Sequence, residues 1–180
     1  RRLSQTELHT LVVQRIRGLA EIRNSEFSGY VRITEYYTRD RSRWFDPAAE
    51  LHVLTRGTVY AGPNLSDSAQ VRLDISQNEN SERLRVTVHV PEPVILDVTL
   101  EPSETLVHFR ESHMGSDEQR RVADSLYRSA LASAKEQLVD DALADGIIRW
   151  SRSRVEQEMQ LLLQELHMHA DVEVHFGFDT

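Results

Sequence analysis

The sequence predicts a single α+β domain over residues 1–180: an N-terminal helix, a mostly antiparallel sheet of about six strands, two C-terminal helices packed on one face, and a closing strand. Three observations predict it. The hydrophobic period is near 3.6 residues at the N-terminus, changes to two from Phe27 to Glu111, and returns to 3.6 from Asp117 to Met168. The connections between the period-two runs are too short for crossover helices, so neighbouring strands run antiparallel. Val172, Val174, Phe176 and Phe178 alternate with polar residues and glycine beyond the last helical run. Such a segment buries its aromatics only by rejoining a sheet.

Ser4-Gln5-Thr6-Glu7 reads as a capping box, with Leu8, Leu11, Val12, Ile16 and Leu19 following on one face, which places the first helix at about residues 5–21. The sheet spans about residues 27–111. Its strands are read at Tyr30 to Tyr37, Leu51 to Val59, Val71 to Ile75, Leu84 to Val90 and Val94 to Leu100, with a sixth from Thr105 to Glu111. Pro91 and Pro93 donate no ladder hydrogen bond and belong in a connection or on an edge; Pro102 belongs just beyond a strand end. Ser116 to Gln119 resembles a second capping box, opening a helical region at about 117–168. Its first stripe is Tyr127, Leu131, Ala134, Leu138 and Ala142, widened by Val122 and Leu126, and its second is Ile148, Val155, Met159, Leu162 and Leu166. Asp145-Gly146 between them makes either two helices or one bent helix. The closing strand is placed at about 172–178.

Composition excludes several functions. No apolar run approaches the roughly 20 residues needed to cross a bilayer, and the absence of cysteine removes disulfides, thiol nucleophiles and thiolate metal sites. Net charge is −8 and uneven: residues 1–60 carry 10 Arg against 7 acids, the remainder 11 Arg or Lys against 22 acids. A nucleic-acid binder draws most of its affinity from a concentrated basic face, so no nucleic-acid partner is expected. The chain contains no glycine-rich phosphate loop, HExxH or GxSxG motif, and no serine stands in a nucleophile's context. No catalytic residue and no cofactor are assigned, and a non-enzymatic domain is favoured.

Two clusters bear on function. His167, His169 and His175 crowd the C-terminal end; if His167 and His169 were extended, both imidazoles would share a face that His175 approaches from the closing strand. They are the candidate metal ligands, set against solvated histidines, and metal binding is not the favoured reading. Asp140, Asp141 and Asp145 are read as a solvated acidic helix face. Arg39, Arg41 and Arg43 precede Trp44 and Phe45 in an irregular connection, a mix suited to a protein hot spot or a lipid headgroup. The contrary reading folds the two aromatics onto the core and leaves the arginines in water. The last helix, with Leu161-Leu162-Leu163, has the apolar density to cement an oligomer.

IRGLAEI near the end of the first helix, RGTVYAGPNLS, VTVHVPEPVIL and an Ala-rich helix breaking at ADGII occur in one order. In that order and spacing the chain resembles a bacterial family known as domain of unknown function 4230. The resemblance implies an N-terminal membrane-spanning segment, with this domain at the cell membrane and exposed outside the cytoplasm; an Arg1-Arg2 start is expected of a trimmed precursor. The family's acidic position in its AG-x-D-L turn is Asn64 here, which suits a purely conformational role. The family brings no catalytic residues. The expected function is a non-enzymatic extracytoplasmic binding or assembly domain with a protein partner or self-association, near a membrane surface. The alternatives are a metal-dependent hydrolase using the histidine cluster, or anionic-lipid contact through the Arg/Trp connection.

Overall fold

The computed structural model describes residues 4–17, 23–39, 48–64, 71–77, 84–165 and 170–177. Along the chain run α1 (Gln5–Arg17), β1 (Ser25–Tyr37), β2 (Ala49–Gly62), β3 (Arg72–Gln77), β4 (Leu84–Val90), β5 (Val94–Leu100), a 3-10 turn (Pro102–Glu104), β6 (Leu106–Glu111), α2 (Ser116–Asp145), α3 (Ile147–Glu165) and β7 (Ala170–Phe176). The α+β class holds. The strands are shared between two sheets, one of β1, β2, β5 and β6 and one of β3, β4 and β7. Residues divide into two compact units, Arg1–Glu26 with Tyr60–Leu96 and Gly146–Thr180, and Phe27–Val59 with Asp97–Asp145.

The second unit is built on β2, whose odd-numbered residues from Ala49 to Val59 are all buried while the even-numbered ones are half-buried. Ala49, Leu51 and Val53 pack against Val122, Leu126 and Ala130 of α2. Further along, Leu138 meets Gly57. From 49 to 57 is roughly 26 Å of strand, and from 122 to 138 roughly 24 Å of helix, so α2 lies along β2 in the same direction. Its buried stripe is Val122, Leu126, Ala130, Ala134, Leu138 and Ala142, a strict four-residue repeat. Each step advances about 40° around the helix, so the buried line winds as a twisted sheet requires. The expected stripe is corrected at two positions: Tyr127 is exposed and Leu131 only half-buried, while Ala130 is buried.

The beginnings and ends of the helices follow local chemistry. At α1 the reciprocal capping box forms, with Ser4 N–H donating to Glu7 Oε2 at 2.9 Å and Glu7 N–H to Ser4 Oγ at 3.2 Å. At α2 the second box does not form. That helix starts at Ser116 itself, and the Gly115 carbonyl accepts the Gln119 N–H at 2.9 Å, so Ser116 lies inside the first turn. α2 ends at Gly146, whose φ of +91° belongs to the left-handed region. The same residue's carbonyl then takes the Trp150 N–H at 3.1 Å and starts α3, making two helices of the interrupted pattern.

In the first unit β3 and β4 pair antiparallel, and β7 returns to pair parallel with β4, Val86 opposite Val172 and His89 opposite His175. Val86, Val88 and Val90 with Leu73 pack under Val155, Met159 and Leu163 of α3, the last three at four-residue spacing. Burying each such side chain contributes about 1.5–3 kcal/mol before the entropy of ordering it. Pro91 and Pro93 lie in the β4–β5 connection and Pro102 opens the 3-10 turn, where no ladder donor is missed. Ser151, fully buried in α3, donates its hydroxyl to Asn24 Oδ1 at 2.6 Å, while Asn24 Nδ2 returns a bond to the Ser151 carbonyl at 3.0 Å.

Candidate functional site

Alternation dictates that what α2 does not cover must face away from it. On β1 those residues include Ser28, Tyr30, Arg32, Thr34 and Tyr36; on β2 they are Glu50, His52, Leu54, Arg56 and Thr58. β6 pairs antiparallel with β2 so that Leu106 stands opposite Leu54, His108 opposite His52 and Arg110 opposite Glu50, on that same open face.

Hydrogen bonds tie much of this face together. Ser28 and Thr58 share a hydroxyl contact at 2.9 Å. Arg56 donates to Glu104 Oε2 at 3.2 Å and Tyr30 OH to Oε1 at 3.3 Å, with the guanidinium 5.9 Å above the Tyr30 ring. His52 is held between Thr34, 3.1 Å from its Nδ1, and Glu50, 2.9 Å from its Nε2. The His108 ring lies 6.3 Å from that of His52.

Beside these knots a groove of about 290 Å³ is lined by Arg32, His52, Leu54, Leu106 and His108, with Val53 and Val107. Arg32 is exposed and makes no hydrogen bond or ion pair among the described residues. Among the described residues its charge has no partner, and it lines the groove with two imidazoles and two leucines. Neither Arg32 nor the histidines of this groove stand out in the sequence, because only strand register brings residues 32, 52 and 108 together.

The three-stranded sheet also presents an open face. Arg72, His89 and His175 form one row across it, with Asp74, Thr87 and Glu173 in the next. The two imidazoles lie 5.1 Å apart. His175 Nε2 is 2.9 Å from Glu173 Oε1, and His89 Nε2 is 3.2 Å from Asp74 Oδ2 and 3.4 Å from Arg72 Nη2.

Of the candidate metal ligands, His175 is thus engaged with Glu173 and His89, while His167 and His169 lie outside the described residues. Among the described residues no three His, Asp or Glu side chains stand together as a metal would need. Asp140 and Asp145 are exposed on α2, and Asp141 accepts from Gln137 at 2.9 Å. Arg39 closes a structural clamp: its guanidinium meets Glu118 at 2.6 and 3.1 Å and donates to the His113 carbonyl at 2.9 Å. The hydrogen bond to Glu118 raises the Arg39 pKa, and the same bond holds the Glu118 carboxyl below its ordinary range. Arg41, Arg43, Trp44 and Phe45 lie outside the described residues.

Fold and sites together describe an α+β protein with two helix-backed sheets, each with an open, polar face. A family model described as "Protein of unknown function (DUF4230)" matches residues 15–174, and the chain belongs to that family. It matches no curated protein and no solved structure.

Proposed function

We propose that this chain is a non-enzymatic binding or assembly domain, held on the outer side of a bacterial cell membrane by an anchor outside these 180 residues. The observation that carries the binding reading is the uncovered face of the four-stranded sheet. Tyr30 is 59% exposed, Tyr36 61% and Leu106 69%, and they share that face with Arg32, His52, His108 and Arg110. Exposed aromatic and aliphatic residues rimmed by polar ones mark contact surfaces, and tyrosine and arginine supply much of the energy at such surfaces. The partner is a protein with an acidic contact region, since Arg32 and Arg110 lack carboxylate partners among the described residues.

A photo-crosslinking benzoylphenylalanine at Tyr36 and, separately, at Leu106 tests the surface, with Gln137 on α2 as control. Adducts from both sheet positions and none from Gln137 are expected; adducts from Gln137 alone, or from none of the three, refute the reading.

Self-assembly is the second reading, favoured by α3. Trp150 is 62% exposed and Leu161 58%. Eleven residues apart, they point within about 20° of one another. Native mass spectrometry of the wild type and Trp150→Glu decides it: an oligomer that dissociates in the variant supports it, and a wild-type monomer excludes it.

The membrane tether and extracytoplasmic side are supported by the family resemblance. No helix among the described residues is long and apolar enough to cross a membrane. Protease added outside spheroplasts should degrade the domain of the full-length protein, and protection would refute the placement.

A further inference from the structure

We infer that the groove between β1, β2 and β6 is a binding site for a free anionic amphiphile, a single carboxylate on a short alkyl chain. The inference rests on the reading of this sheet face as a contact surface and adds a ligand class to it. Three features of the groove select the ligand.

Charge comes first. Arg32 lines the groove with a guanidinium that nothing among the described residues neutralises, and His108 beside it makes no hydrogen bond among them. Glu50, on the same face of β2, is already held by His52. Arg56, the next cation on the open face of β2, is matched by Glu104. Arg32 is therefore the groove's guanidinium and has no carboxylate paired with it among the described residues, although the chain as a whole carries a net charge of −8. A guanidinium presents paired donors that match a carboxylate in bidentate geometry.

The apolar wall comes second. Leu54 and Leu106 stand opposite each other on paired strands and line the same groove. Leu106 is 69% exposed, an aliphatic side chain that the fold leaves in water. An inorganic anion would satisfy Arg32 and leave both leucines wet, whereas an alkyl chain attached to the anionic group covers them, at about 25 cal/mol for each Å² of apolar surface buried.

Size comes third. The groove measures about 290 Å³, at the lower bound of small-molecule sites, roughly 300–1,000 Å³. That volume is commensurate with one short alkyl chain.

Octanoate is the probe, titrated into the intact domain by isothermal calorimetry and by amide NMR, with wild type, Arg32→Gln and Leu106→Asn compared. Both positions are exposed, so unchanged melting midpoints are the accompanying check of folding. One site is expected, with shifts centred on residues 32, 52, 54, 106 and 108. Affinity should fall about tenfold or more in Arg32→Gln, as loss of a charge-assisted hydrogen bond implies, and severalfold in Leu106→Asn. Acetate and octanol should each bind far more weakly than octanoate. No octanoate binding, binding unaffected by Arg32→Gln, or acetate binding as well as octanoate would each overturn the inference. So would binding to vesicles of equimolar phosphatidylglycerol and phosphatidylcholine without octanoate binding, which would make the source a membrane surface. If octanoate fails while crosslinks from Tyr36 and Leu106 persist, the ligand assignment falls and the contact surface stands.

Discussion

Replacing Gly57 with alanine tests how closely α2 is seated on β2. A Cβ built at Gly57 would lie 2.4 Å from Leu138 Cδ1, 2.7 Å from the Thr99 carbonyl oxygen and 3.0 Å from Leu100 Cδ2. Two of these neighbours resist movement for different reasons. Leu138 is fully buried, so its methyl has no vacant space to enter. Thr99 contributes a backbone atom of β5, which cannot shift without disturbing the pairing of that strand. Overpacking of this kind costs about 1–3 kcal/mol, against about 0.4–1 kcal/mol gained because alanine restricts the unfolded chain.

The expected net effect is therefore destabilising by about 1–2 kcal/mol, which for a chain of this length lowers the melting midpoint by about 2–8 °C. Urea titration followed by far-ultraviolet circular dichroism measures it, with Leu138→Ala and the double variant completing a cycle. Leu138→Ala alone should cost about 2–5 kcal/mol. In its background the alanine at 57 should cost less by about 1 kcal/mol, because the 2.4 Å contact is gone and only the Thr99 oxygen and Leu100 Cδ2 remain. A Gly57→Ala variant as stable as wild type, or two variants that add without coupling, would refute the close seating of the helix on the strand.

Other consequences follow from single contacts. Gly146→Ala forces a side chain onto a φ of +91° and should cost about 1–2 kcal/mol, read as a lower urea midpoint. Asn24→Ala removes the partner of the buried Ser151 hydroxyl and should cost about 1–3 kcal/mol in the same assay. The Glu118 carboxyl is held low by Arg39, so its contribution is present above the ordinary glutamate value and lost as pH falls through the depressed one. Arg39→Gln should flatten that acid limb of the melting midpoint, and an unchanged limb would count against the clamp. Glu158 behaves oppositely: burial raises its carboxyl pKa, partly countered by Arg154, so its charged form destabilises the fold as pH rises through and above the raised value. Glu158→Gln should melt higher than wild type at pH about 7 and the same at pH about 4.

How much of this was legible depended on whether one residue's neighbours decided its place. The α1 capping box was readable because Ser4 and Glu7 satisfy each other within one turn. Gly146 was readable as an interruption, and its positive φ makes the break. The α2 stripe was displaced at Tyr127 because several apolar residues compete for each turn of a long helix, and the sheet beneath selects the small ones, Ala130 and Ala134, that permit close approach. The division into two sheets was not legible, since β3 and β4 alternate like β1 and β2 and nothing local states which strand each will pair with. Arg39 read as one of a run of free arginines, yet its carboxylate partner is 79 residues away at the start of α2.

The groove was hidden for a related reason that also bears on its use. Burial of Ala49, Leu51 and Val53 under α2 sets the phase of β2, and that phase alone sends His52 and Leu54 to the opposite face. No packing constraint then acts on what occupies those outward positions. A fold needs only residues that tolerate water there, and most polar pairs on this face do that by satisfying each other, as Ser28 does with Thr58 and Arg56 with Glu104. Arg32 departs from that pattern: it faces a leucine pair with no carboxylate among the described residues to match it. Stability gives no reason for such a combination, because an exposed guanidinium without a partner contributes little to folding. Substitution of Arg32 should accordingly leave the melting midpoint within the small range of surface changes, about 0.5 kcal/mol or less, while altering what the face binds. That separation of folding from recognition distinguishes a binding position from a structural one.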